Sequence, residues 1–240
     1  MAKRKYLTWW DILFITVIMI GIGMYQSNII YFAKLQSSVS DYPDSIIFTL
    51  WDNLRGIFVQ SIQLIVAILY LKLRNFDFVQ WKFKISIRDT VFGIFLFIIC
   101  AVLMDIWITI WNYLIFFTSY VPEIPKPAFI TSSFLSFSLS NILYALLNGP
   151  YEELFFLGVC LSVKPEYRIW AFWYSMAIRI SFHTYQGIGS AFGIGIILTV
   201  IYYHFYVRKS GNLYPYFLSH TVADIFGLGI AYHIIYWVTG

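Results

Sequence analysis

Charged residues are scarce in this sequence. Asp, Glu, Lys and Arg make up only 12% of its 240 residues, against about 25% in an ordinary soluble domain. Hydrophobic residues account for 60% and aromatic residues for 21%. This composition excludes an ordinary soluble domain. It predicts an all-α polytopic transmembrane helix bundle, because helices satisfy their own backbone hydrogen bonds in lipid.

Cysteine is nearly absent as well. The two cysteines, Cys100 and Cys160, lie in apolar runs and have no CxxC neighbour. A disulfide framework and a thiolate zinc site are therefore not supported, and we expect two buried thiols. The formal net charge is +4, but the basic residues form no single patch, so we expect no nucleic-acid partner.

Apolar runs long enough to cross a bilayer recur about seven times. They cover approximately residues 10–32, 47–71, 90–118, 133–163, 169–184, 188–207 and 213–237. The first run lacks a small-residue cleavage site and exceeds the core of a signal peptide, so we expect a retained span. In the fourth run, Pro150 removes a backbone donor and is expected to bend the helix just before Glu152.

The Lys and Arg residues predict the orientation of these spans. With the N-terminus in the cytoplasm, twelve of the sixteen face the cytoplasm: Lys3, Arg4, Lys5, Lys72, Arg74, Lys82, Lys84, Arg88, Lys164, Arg168, Arg208 and Lys209. The positive-inside rule therefore predicts seven crossings with a cytoplasmic N-terminus. The basic and aromatic segment 74–88 is expected to lie on the anionic inner leaflet.

Six strongly polar residues interrupt the later apolar runs. They are Glu152, Glu153, Arg179, His183, His220 and Asp224. An ionised group at the bilayer centre costs about 2.5–3.5 kcal/mol on insertion scales, so these groups need partners. Polar pairs between helices that only fix the bundle are the plain explanation, and a functional site is the sharper one.

Spacing and depth favour the functional site. Arg179 and His183 are four residues apart, as are His220 and Asp224, so each pair shares one helix face. Counted from the predicted cytoplasmic helix ends, Glu152, His183 and His220 lie roughly 13–21 Å deep at 1.5 Å per residue. Two carboxylates held close do not easily both ionise, which suits acid and base catalysis near neutral pH.

The motifs EELFFL, RISFHTYQG and LSHTVAD carry these residues in that order. Together they resemble the CAAX protease and bacteriocin-processing family (CPBP, or Abi) of intramembrane proteases, over about residues 140–230. The resemblance implies a catalytic transmembrane core in residues 131–240. Residues 1–130 would then be N-terminal transmembrane spans without a recognisable family feature.

One position departs from the family pattern. Leu157 stands where the family usually has an arginine after the glutamate pair. Arg179 stands one turn before His183, where phenylalanine is commoner. Our hypothesis is that Arg179 supplies the cation that Leu157 cannot; the alternative is that Arg179 only neutralises one of the glutamates.

Two mechanisms remain open from the sequence. The resemblance implies that Glu152 or Glu153, with His183, activates a water molecule, while His220 and Asp224 stabilise the oxyanion. Alternatively, the four side chains with suitable donor atoms hold a catalytic zinc ion: Glu152, His183, His220 and Asp224.

The function implied by the resemblance is intramembrane cleavage of a small membrane-associated peptide or protein. Prenylated CAAX proteins, bacteriocins and signalling peptides, and a role in self-immunity, belong to this expectation. We therefore expect a multi-pass protein of the cell membrane, with lipid and the substrate as partners. The rival hypothesis is a catalytically inactive membrane partner, or an immunity or scaffold protein, with the same fold.

Overall fold

The computed structural model describes residues 3–36, 49–116, 138–208 and 211–229. Within these ranges the chain is helical and has no β-strand, which confirms the all-α fold. The helices are α1 (Trp9–Thr16), α2 (Ile22–Gln36), α3 (Leu50–Leu73), α4 (Ile87–Phe116), α5 (Leu139–Glu153), α6 (Arg168–Phe182), α7 (Ile188–Arg208) and α8 (Tyr214–Phe226). A π-helical turn, Val17–Gly21, joins α1 to α2, and a second, Leu154–Val159, continues α5.

Four of the described helices are long and apolar enough to cross a membrane. They are Trp9–Gln36, Leu50–Leu73, Ile87–Leu114 and Ile188–Arg208. Together with its π-helical continuation, α5 has 21 residues (15 plus 6), whereas α6 and α8 have 15 and 13, fewer than the roughly 20 that a full crossing requires. The four long apolar helices are those of a membrane protein, and the count of seven spans stays a prediction.

Chain direction alternates between the helices. In the pair α6–α7, Ile180 lies against Gly195, and the ring of Phe172 lies 4.8 Å from that of Tyr203, so these two helices are antiparallel. Helices α5 and α8 are also antiparallel. Three other packed pairs are parallel: α3 with α5, α4 with α8, and α2 with α6. Thus α1, α2, α4, α6 and α8 run one way, and α3, α5 and α7 run the other. Seven successive crossings would produce this order.

The parallel pair α3–α5 has a regular register. Four contacts join residues 88 positions apart: Asn53 with Asn141, Gly56 with Tyr144, Gln60 with Asn148, and Gln63 with Tyr151. Their spacing of three and four residues is that of a left-handed coiled coil. We call these eight residues the α3–α5 seam.

The predicted cytoplasmic segments meet at one end of the bundle. Asp11, at the start of α1, accepts hydrogen bonds from Arg74 Nε at 2.6 Å and Tyr70 OH at 2.7 Å. The hydrogen bond and charge of Asp11 raise the pKa of Arg74. In the 74–88 segment, Trp81 Nε1 donates to Gly158 O at 3.0 Å. This segment is therefore fastened to the end of the π-helical turn that follows α5.

The bend expected at Pro150 stays a prediction: α5 continues through Pro150 to Glu153 and passes directly into the π-helical turn Leu154–Val159. The loss of one backbone donor does not end a helix that is packed against its neighbours.

The seventh run was expected to be helical over 213–237. Instead α8 ends at Phe226, because Gly227 has a φ of 80° and its N–H bonds to Ala223 O; residues 230–237 lie outside the described ranges.

Close packing explains the glycines of α7 and the environment of both cysteines. A Cβ at Gly189 would come within 2.5 Å of Trp111, and one at Gly193 within 2.6 Å of Trp107. The absence of a side chain at these two glycines lets α4 approach α7 closely. Both cysteines are buried free thiols, as expected.

We predict that the end of the bundle bearing the 74–88 segment faces the cytoplasm. A cysteine introduced at the exposed Glu166 should react with an impermeant thiol reagent only after the cells are opened. The native thiols are buried and give little background. Labelling of Glu166→Cys in intact cells would contradict the predicted orientation.

Candidate functional site

Three helices bring the six predicted site residues together. Glu152 and Glu153 end α5, Arg179 and His183 lie on and directly after α6, and His220 and Asp224 lie on α8: the set is Glu152, Glu153, Arg179, His183, His220 and Asp224. Their placement depends on how α6 ends. The N–H of His183 bonds to the carbonyls of Arg179 and Ile180, and the chain then turns through Gly187 at a φ of 93°. His183 is thereby held at the buried end of the helix.

Glu153 is bound entirely within the protein. Arg179 Nη1 donates to Glu153 Oε1 at 2.7 Å and Arg179 Nη2 donates to Oε2 at 2.8 Å. His220 Nδ1 lies 2.6 Å from the same Oε1. Neither Glu153 nor Arg179 is exposed to solvent, and the guanidinium carbon lies 4.0 Å from the ring centre of Phe156. Glu153 therefore has a cation and a histidine as fixed partners.

Glu152 has a different environment. Its Oε1 accepts a hydrogen bond from Asn148 Nδ2 at 3.0 Å. Its Oε2 is buried and has no hydrogen-bond partner among the described residues, although His183 Nε2 lies 3.6 Å away and His220 Nε2 lies 3.7 Å away. The two adjacent glutamates are thus distinguished: one is saturated with partners, and the other keeps a free oxygen atom between two imidazole rings.

The contacts of the two histidines fix which ring nitrogen carries a proton. His183 Nδ1 lies 2.9 Å from the carbonyl oxygen of Arg179, which can only accept, so Nδ1 is protonated. His220 Nδ1 faces the Glu153 carboxylate and is protonated for the same reason. In each ring the other nitrogen, Nε2, faces the space beside Glu152 Oε2.

Asp224 lies at the rim of the site. Its side chain is 23% exposed, whereas those of Glu152, His183 and His220 are at most 6% exposed. Asp224 Oδ1 is 3.6 Å from His220 Nε2, and Oδ2 accepts from Asn148 Nδ2 at 2.9 Å. Asp224 is therefore the most exposed of these four side chains.

Asn148 and Gln60 belong to this site, although the sequence analysis did not select them. Asn148 bonds to Glu152 and Asp224, and Gln60 Nε2 donates to Asn148 Oδ1 at 2.6 Å. Two signals could have found them. Asn148 stands one helical turn before Glu152, and Gln60 is an amide within an apolar run, seven residues after Asn53.

The predicted zinc ligands stand a few tenths of an ångström farther apart than the donor atoms around a bound zinc ion, and the zinc alternative stays a prediction. Donor atoms that share a zinc ion at about 2.0–2.1 Å stand about 3.3–3.4 Å apart. Glu152 Oε2 is 3.6 and 3.7 Å from the two histidine Nε2 atoms. Among the described residues, no group of three or more His, Cys, Asp and Glu side chains has the arrangement of a metal site.

Leu157, where an arginine was expected, is buried beside Arg179. Leu157, Phe156, Thr199 and Arg179 line the same small void. Within the described residues, Arg179 Nε and Thr199 Oγ1 are both buried without a hydrogen-bond partner. The guanidinium that pairs with Glu153 thus enters from α6, next to the position from which the family's arginine would come.

Fold and site together define a class: a helical membrane protein with a buried cluster of carboxylates and histidines beside an arginine. Residues 134–226 match the family model of the type II CAAX prenyl endopeptidases, described as Rce1-like. The match confirms the resemblance that the motifs indicated, and it identifies this segment as similar to a family of membrane proteases. No curated protein and no solved structure matches the chain.

We predict that Gly149→Ala weakens both the fold and the site. A Cβ at Gly149 would lie 2.6 Å from the backbone nitrogen of Thr221, so α5 and α8 would have to separate. Overpacking of this kind costs about 1–3 kcal/mol. The melting temperature of the purified protein should fall, and with it any activity that needs the contact between Glu153 and His220.

Gly21→Ala is the matched control, because the nearest atom to a Cβ there lies 3.8 Å away. Equal melting temperatures for Gly149→Ala and Gly21→Ala would contradict the close approach of α5 and α8.

Proposed function

We propose that this chain is a CAAX-type intramembrane endopeptidase of the cell membrane, with several spans. Its substrate would be a small membrane-associated peptide or protein, with prenylated CAAX sequences first and bacteriocin or signalling peptides next. One observation carries the proposal: Glu152 Oε2 is buried, has no hydrogen-bond partner and faces the Nε2 atoms of His183 and His220. A protein that only needed a stable bundle would gain nothing from such an oxygen atom.

Glu152 is the general base in this proposal. A water molecule between Glu152 Oε2 and His183 Nε2 can donate one hydrogen bond to each, because both atoms accept and stand 3.6 Å apart. The water oxygen attacks the carbonyl carbon of the scissile peptide bond while Glu152 takes its proton. Glu152 then transfers the proton to the leaving nitrogen, the C–N bond breaks, and the base returns to its starting state.

His220 lies where it can stabilise the negative charge that develops on the carbonyl oxygen. Its Nδ1 is bound to Glu153, so its Nε2 can donate to the oxyanion when the ring is protonated. Asp224 is a donor only in its protonated form; ionised, it orients His220 across 3.6 Å. Glu153 and Arg179 hold His220 in place and take no direct part in bond cleavage.

The second candidate function is binding without catalysis, as an inactive membrane partner or an immunity or scaffold protein. Leu157 is the observation that favours it, because the family's usual arginine is missing at this position. Arg179 weakens this alternative, since it supplies a bidentate partner to Glu153 from another helix.

We predict that Glu152→Gln abolishes peptide cleavage and leaves the protein folded. Glutamine has the same shape and can still accept from Asn148, but it cannot take a proton from water. Loss of a general base lowers the rate by about 10²–10⁴-fold. Purified protein in lipid vesicles should be assayed with a farnesylated peptide that ends in a CAAX sequence.

The same peptide without the prenyl group and an unrelated transmembrane peptide complete the substrate panel. Absence of cleavage by the wild-type protein across the panel would favour the binding protein. Glu152→Gln that cleaves as fast as wild type would remove Glu152 as the base. Loss of activity on chelation, with recovery on added zinc, would instead support the metal alternative.

We predict that Arg179→Ala also abolishes cleavage and that Leu157→Arg in the same chain restores part of it. Leu157 and Arg179 line the same void, so truncation of Arg179 vacates space beside position 157 for a new guanidinium. Activity per folded molecule should be compared in the wild type, Arg179→Ala and the double variant.

If Arg179 is only a structural counter-ion, its removal should lower the yield and the melting temperature, because it leaves a buried carboxylate unpaired at a cost of about 3–5 kcal/mol. Undiminished activity of Arg179→Ala would exclude the compensation hypothesis.

A further inference from the structure

A chain of side-chain amides connects α3 to the proposed base. Gln60 Nε2 donates to Asn148 Oδ1 at 2.6 Å, and Asn148 Nδ2 donates to Glu152 Oε1 at 3.0 Å and to Asp224 Oδ2 at 2.9 Å. Gln60 lies outside the segment that matches the family model, residues 134–226. The part of the chain without family motifs therefore reaches into the site.

The direction of these hydrogen bonds is set by chemistry. The two amide hydrogens of Asn148 face two carboxylates, which accept in their ionised form. If Asn148 were reversed, its carbonyl oxygen would face both carboxylates, so its oxygen must point toward α3 instead. Gln60 then has to present its own amide nitrogen, and this leaves Gln60 Oε1 buried without a hydrogen-bond partner in the part of the chain that the structure describes. The unsatisfied oxygen atom of Gln60 is the consequence of holding Asn148 in one orientation.

We propose that Asn148 is a positioning residue of the proposed protease site and that Gln60 fixes its orientation. The inference rests on the proposed function. Asn148 holds Oε1 of Glu152 and thereby aims Oε2 at the space between His183 and His220. Through its second hydrogen it also ties Asp224 to the base. The Asn148 amide thus sets the distance between Glu152, which activates the water molecule, and Asp224, which belongs to the group that stabilises the oxyanion.

The α3–α5 seam provides a matched control seven residues earlier. Asn53 Nδ2 donates to Ser140 Oγ at 3.1 Å and also bonds to Asn141, so the same two helices are joined there by the same type of group. Asn53 is buried, as Asn148 is. Within the described ranges, no hydrogen bond or ion pair joins Asn53 to a predicted site residue. Removal of either amide should therefore cost similar stability, and only one removal should alter catalysis.

The experiment measures kcat and KM for the prenylated peptide with the full chain in lipid vesicles. Four proteins are compared: wild type, Asn148→Leu, Gln60→Leu and Asn53→Leu. We expect kcat to fall about 10–100-fold in Asn148→Leu, the usual effect of losing a group that orients a functional side chain, with KM within about twofold of wild type. Gln60→Leu should show a smaller fall in kcat of the same type, and Asn53→Leu should keep the wild-type kcat.

Activity is expressed per folded molecule, from the monodisperse fraction on size-exclusion chromatography, and melting temperatures are recorded for all variants. Asn148→Asp is the fifth protein: it keeps the shape but presents an acceptor to two acceptors, so its kcat should fall at least as far as that of Asn148→Leu. An Asn148→Leu protein with the same kcat as Asn53→Leu would overturn the inference and leave the proposed function intact. A wild-type protein that cleaves none of the peptides would overturn both.

Discussion

The buried ion pair between Arg179 and Glu153 is the interaction on which the site depends. Removing two charges from water costs several kcal/mol per ion, and only close geometry with further hydrogen bonds compensates that cost. Here the pair is bidentate, at 2.7 and 2.8 Å, and His220 adds a third contact to the same carboxylate. Because these partners come from α6 and α8, the pair fixes three helices at the depth where the chemistry would occur. The neighbouring Glu152 can then remain unsaturated, since the fold does not need it as a partner for the cation.

Much of this architecture could be predicted from the sequence because polar residues are costly in lipid. Glu152, His183 and His220 stand out against apolar runs, and helical spacing places Arg179 and His183 on one face. Their convergence follows from the same argument, since each needs a partner and few are available. The reach of Arg179 to a glutamate was inferred in the same way.

Other features could not be read from spacing. The sequence does not show which glutamate pairs with Arg179, because Glu152 and Glu153 are adjacent and differ only in the direction that the end of α5 gives them. The π-helical turn Leu154–Val159 could not be predicted either, because an α-helix would have the same run of apolar residues. Asn148 carries no charge and stands outside the three motifs, and only the distances to Glu152 and Asp224 give it significance. The end of α8 depends on one glycine torsion at Gly227.

The constant register of the α3–α5 seam restricts how the length of this protein can change. A single-residue insertion early in α3 would rotate every later side chain by about 100° and carry Gln60 away from Asn148. Seven inserted residues would return the face to within about 20° of its starting direction. Seven residues also add about 10.5 Å along the helix axis, so the face is restored but the level is not. Natural relatives that retain both amide contacts should therefore change length between Asn53 and Gln60 only together with an equal change between Asn141 and Asn148, while other insertions and deletions should collect outside the seam.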